Sequence, residues 1–305
     1  MEQSSSNGTN VAEMSTIITL LNVTALVAIM LSMGMKVTLE SLLASARQTR
    51  LVLLGLLASY VLVPTVTVGL LLLFRTSPAV SVGFLILAVC PGAPFAPPIT
   101  AIARGHVPSA IGLMLILAGL SAFLSPALLG ILMSWIAPGN DLRINPIALV
   151  STLLITQMLP LALGMAIHHA TPKLALWTVK PVGILANVLL LALIGLILAT
   201  QYESLAAIRI RGWLGMSLLL LASIGIGWLC GGSDTPTRKA VAIATATRNA
   251  AVALAIATSN FAGTPAVTAV VAYGLISTVG ALVCALLLSK LRIVETGSAD
   301  AGSSL

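Results

Sequence analysis

Nine apolar runs follow one another between residues 13 and 290, with only short polar punctuation between them. They fall at 13–35, 51–74, 79–103, 107–136, 146–168, 178–200, 212–231, 238–260 and 265–290. About 20 apolar residues are what an α-helix needs to cross the hydrocarbon core of a bilayer. Outer-membrane strands would alternate in polarity over about 10 residues instead, a pattern these runs lack. Composition agrees: 8% of residues are charged and 58% hydrophobic, where a soluble domain carries about 25% charged residues. So few charges cannot tile a water-facing surface, and so apolar a chain does not stay disordered. The expectation is an all-α integral membrane protein of about nine transmembrane helices in a lipid bilayer.

The first run is read as a retained span. MEQSSSNGTN has no basic n-region, and the run ends in MGMK without a small-residue cleavage pattern. The loops then set orientation. Lys36, Arg47, Arg50, Arg104, Lys173, Lys180, Arg238, Lys239, Lys290 and Arg292 fall on one side, against Arg75, Arg143, Arg209 and Arg211 on the other. The positive-inside rule places residues 1–12 outside as a tail and 291–305 in the cytoplasm as a second tail. The net charge of +7 therefore sets topology and does not mark a nucleic-acid binder. Trp135, Trp177, Trp213 and Trp228 sit near span ends, as an interfacial aromatic belt requires. Cys90, Cys230 and Cys284 form no CxxC and have no histidine at ligand spacing, so no metal site is expected.

Two spans are unlike the rest. The third packs Pro91, Gly92, Pro94, Pro97 and Pro98 into its middle, where regular helix cannot continue. Backbone freed inside a bilayer survives only when buried in protein or facing a wet cavity. The eighth holds Thr245, Thr247, Arg248 and Asn249 at its centre, the densest polar cluster in any span. An arginine at that depth costs at least about 2.5 kcal/mol on insertion scales and needs a partner or a cavity. Each interruption lies in the middle element of a three-span group, spans 2–4 and spans 7–9. An offset of five spans gives the two groups opposite orientation. Interrupted segments at matched places in inverted halves point to a secondary transporter's binding site near the midplane. A proline-rich break can also be a packing kink, and a buried arginine can pair with backbone carbonyls alone.

These residues resemble the bile acid:sodium symporter family over about residues 13–290. MGMKVTLESL at 33–42, ASYVLVP at 58–64, CPGAPFAPPITAIARG at 90–105 and RKAVAIATATRNAAVALAIATSNF at 238–261 carry the likeness. The resemblance implies an inverted-repeat fold with a core, here spans 51–136 and 212–290, and a panel, here spans 13–35 and 146–200. Two broken helices cross in the core, and a small organic anion, an organic acid or a bile-acid-like solute, sits between core and panel. It also implies sodium ligands that this chain replaces: Ser59, Ala96, Pro97, Ala244 and Arg248 occupy those positions, and Asn249 alone is retained. Sodium wants oxygen ligands, and about 3 kcal/mol of repulsion faces a cation about 6 Å from an arginine at an effective dielectric near 20. The expectation is therefore anion transport in which Arg248 stands in for a coupling cation.

Expected substrate contacts are Arg248, Asn249, Thr247 and Thr245, then Thr100, with Ser59 by mapping alone. Pro91, Gly92, Pro94 and Pro97 are expected to expose backbone. Proton coupling has little support, because the acids lie in tails, loops or span edges and His106, His168 and His169 at a membrane edge. Two transporter alternatives stand beside this reading. One is sodium symport with shifted ion sites. The other is an arsenite-type permease using Cys90, although no acidic residue near Ala244 supports it. An intramembrane enzyme would need a nucleophile with a base or a metal cluster, and no HExxH or GxSxG is present.

Overall fold

The computed structural model describes residues 2–136, 146–206, 208–261 and 263–290. Arg143 and the tail at 291–305, both used above for orientation, lie outside the described residues. Every regular element in the described residues is helical. We number them α1 (Glu2–Gly34), α2 (Leu39–Ala46), α3 (Thr49–Phe74), α4 (Pro78–Val89), α5 (Ala96–Ile102) and α6 (Val107–Ile136). There follow α7 (146–170), α8 (Pro172–Ala206), α9 (Ile210–Cys230), α10 (Thr235–Ala246), α11 (Ala250–Asn260) and α12 (Pro265–Ser289). Eight stretches are long and apolar enough to cross a membrane, among them Thr235–Asn260, which contains α10 and α11. The remaining expected span is split into α4 and α5 by its prolines.

Several features differ from the sequence reading. Helix α1 continues back to Glu2 through the segment read as a tail, which contains no proline to stop it. Helix α8 runs past both ends of its apolar run, from Pro172 to Ala206. The short α2 was not expected. Thr38 caps it by accepting from Ser41 N at 3.1 Å, and Ser45 rests on Gly112 of α6. Helices α3 and α7 each contain one π-turn, at Ala58–Leu62 and Leu154–Met158. Pro64 and Pro160 explain them, since each would clash with a carbonyl four residues back, inside the widened turn.

The helices form two packed groups. Helices α1, α7 and α8 lie together as a panel, while α3–α6 and α9–α12 form the core. Gly34 and Gly164 let α1 and α7 meet backbone to backbone, because a Cβ on either would strike a carbonyl of the other helix. His168 bonds Met35 O at 2.7 Å and ties the same helix ends together. A buried polar link joins panel to core: Gln157 Nε2 donates to Ala118 O and to Ser121 Oγ.

The second broken helix starts at Asp234, whose carboxylate accepts from Thr237 N at 2.9 Å. Burial works to raise this carboxyl, but the hydrogen bonds from Thr237, with help from His106, outweigh it and hold it below its ordinary value. A group so depressed stabilises the fold above its unfolded-state value and loses that contribution as pH falls through its folded value. Asp234→Ala is expected to destabilise the purified protein by about 1 kcal/mol at neutral pH. In thermal melts, the gap from wild type should close as the pH drops below the carboxylate range.

Candidate functional site

Breaking a helix inside a membrane leaves carbonyls and amides that need partners. At the first break these partners come from two other spans. Ser125 Oγ of α6 donates to Val89 O at 2.5 Å. Asn249 N donates to Cys90 O at 2.9 Å, and Asn249 Nδ2 donates to Gly92 O at 3.4 Å. The two breaks thus touch through Asn249, which makes this point the crossing of α4–α5 with α10–α11. At the second break, Thr247 N donates to Ile243 O and Ala250 N to Arg248 O, each at 2.9 Å. Asn249 Oδ1 also caps α11, accepting from Val252 N at 3.2 Å.

Arg248 is the largest fully buried side chain among the described residues, at 2% exposure. Its Nη2 donates to Ser59 O in the π-turn of α3 at 3.3 Å, while Nε and Nη1 have no partner among the described residues. Tyr273, Cys90 and Tyr60 lie near it. No carboxylate pairs with it among the described residues. A guanidinium held this way keeps a full positive charge in a low-dielectric interior with one long hydrogen bond, and its field is therefore poorly compensated.

Two cavities lie between panel and core on either side of the crossing. The first, about 470 Å³, is lined by Arg248, Asn249, Ala250 and Ala251 from the core and by Asn187, Leu190, Leu191 and Ile194 of α8. The second, about 380 Å³, lies toward Lys36 and is lined by Lys36, Ser32, Pro97, Pro98, Ile111 and Gly183, among others. Ala250 and Ala251 form the first turn of α11, so its positive end faces the first cavity. Both volumes suit a small organic molecule.

The model of the Sodium Bile acid symporter family matches residues 23–208, more than half of the chain. The chain belongs to that family. It is therefore a membrane transporter and not an enzyme. No curated protein matches the chain. The family match begins within α1, covers the rest of the panel and the first crossing helix, and ends before α9, so Arg248 lies beyond it.

Within this symporter family fold, the residues at the expected sodium positions have distinct surroundings. Ala96 and Ala244 belong to one apolar cluster with Ala58, Leu113, Leu117 and Val241. Pro97 lines the second cavity, and Ser59 gives its carbonyl to Arg248. Of the expected substrate residues, Arg248 and Asn249 line the first cavity, and Pro94 lines both. Thr245, Thr247, Thr100 and Ser59 line neither cavity. Thr247 and Thr100 donate to the carbonyls of Ile243 and Ala96 on their own helices, and Thr245 packs against Gly227 of α9. Pro91 and Gly92 also line neither cavity, with Gly92 held against Ala118. Cys90 is fully buried and borders neither cavity. Sequence reading passed over Ser125, Gln157 and Asn187. Each is a polar residue inside an apolar run, which was signal enough to find it.

Proposed function

We propose that this transporter moves a small organic anion by alternating access between panel and core, without coupling to sodium at the positions its relatives use. The observation that carries this reading is the buried guanidinium of Arg248, without a carboxylate, beside Asn249 at the cavity. A fixed cation there favours an anion in the first cavity, and the positive end of α11 adds to it. The same charge repels a second cation, and the side chains that stand at Ala96 and Ala244 carry no oxygen for sodium. Substrate is held near Asn249 with the panel closed over it, and movement of the panel against the core exposes it to the other side. The loop charges support an outside N-terminus and a cytoplasmic C-terminus.

The test is a screen of organic acids against purified protein by thermal shift, followed by uptake of the best binder into proteoliposomes. A stabilising acid should be taken up equally well with sodium or choline as the only monovalent cation. Uptake that collapses when sodium is withdrawn would sink the uncoupled reading and restore symport with relocated ion sites.

A further inference from the structure

The two cavities share four lining residues, Ile29, Pro94, Phe95 and Asn187. These form the septum between them, and three of the four are apolar. Asn187 is the exception. It stands in the middle of α8, where every other residue from 182 to 199 is apolar or glycine. Its side chain is exposed, and no described residue hydrogen-bonds its amide. An unpartnered amide at this depth is strongly disfavoured against lipid or apolar protein. It is tolerated where it meets water or a ligand, and the two cavities supply that place.

Asn187 also differs from the other polar liners of the first cavity. Arg248 and Asn249 belong to the core, and the Thr278 hydroxyl is spent on Gly274 O of its own helix at 2.9 Å. Asn187 is therefore the polar contact that the panel contributes. A ligand held by the core alone gains nothing from the position of the panel, and so cannot shift the equilibrium between arrangements. A ligand that also bonds Asn187 has that differential affinity.

We infer that Asn187 is the panel's substrate-positioning residue, which bonds a neutral hydroxyl, oxo or amide group on an acid whose carboxylate faces Arg248 and Asn249. This rests on the anion reading above and narrows its substrate class to acids with an apolar body and a second hydrogen-bonding group. Because Asn187 borders both cavities, it stays in contact as the substrate crosses the septum.

Two measurements test this. In the first, Asn187→Cys is made in a Cys230→Ser, Cys284→Ala background and reconstituted. A membrane-impermeant anionic thiol reagent is then applied from each side. Asn187→Cys should react from both sides, Leu191→Cys from one side, and Lys36→Cys from the opposite one. In the second, decanoate and 10-hydroxydecanoate are compared as ligands by thermal shift. Wild type should prefer the hydroxy acid at least tenfold, Asn187→Leu should bind the two alike, and Asn187→Ser should regain part of the preference. Labelling of Asn187→Cys from a single side, or a preference that survives in Asn187→Leu, overturns the role of Asn187. Binding of neither acid by wild type overturns the anion reading instead, which separates the two failures.

Discussion

Arg248→Gln is expected to change stability and ligand binding in opposite directions. Without ligand, the variant should melt at a higher temperature than wild type. With any organic acid that stabilises wild type, the ligand-induced rise should vanish. The first effect follows because a buried charge with one 3.3 Å hydrogen bond and two unpartnered nitrogens carries several kcal/mol of desolvation that no carboxylate among the described residues offsets. Glutamine is neutral and needs no counter-charge. The second effect follows from Coulomb's law. A carboxylate about 5 Å from the guanidinium gains about 3 kcal/mol at an effective dielectric near 20, which is roughly a hundredfold in affinity. Uptake should fall by a similar factor. Arg248→Lys keeps the charge but loses the forked donor geometry, so it should bind acids more weakly than wild type and better than Arg248→Gln. If Arg248→Gln were less stable than wild type and still bound the acid, the residue would be a structural clamp on α3 and nothing more.

The nine spans were legible because the bilayer imposes a length and a polarity on each of them, and a run such as 265–290 has no other fold to adopt. The breaks were legible for the same reason, since prolines at 91, 94, 97 and 98 and the cluster at 245–249 violate that rule. What holds the breaks was not legible. Asn249 meets Cys90 O and Gly92 O across more than 150 residues of chain, and no local pattern encodes that pairing. Thr100 and Thr247 line neither cavity for a local reason. A helical threonine can satisfy itself on a carbonyl of the preceding turn, as Thr100 and Thr247 do, and it then has no need of a cavity. The amides of Gln157 and Asn187 are not spent on their own helices, and so they point to packing and function more directly than these hydroxyls.

Gly92→Ala is expected to be the most damaging single-methyl change in the crossing. Gly92 has φ +84°, and a Cβ built there would stand 2.5 Å from Ala118 N and 2.8 Å from its Cα. The positive φ alone costs an alanine about 1–2 kcal/mol. Overpacking adds about 1–3 kcal/mol more, and here the obstacle is backbone, which cannot rotate aside. Relief requires the break to move off α6, and that would also stretch the Asn249 bonds to Cys90 and Gly92. Gly232 provides the control. It has nearly the same φ, +83°, but nothing lies within 4 Å of the added Cβ, so Gly232→Ala should show the backbone contribution alone. The difference between the two variants in thermal melts then measures the close approach. Ala118→Gly should not rescue Gly92→Ala, because removing that methyl leaves the backbone of residue 118 still in the way. A full rescue would mean that the two breaks are held at the crossing by side-chain packing, with room for the backbones to separate.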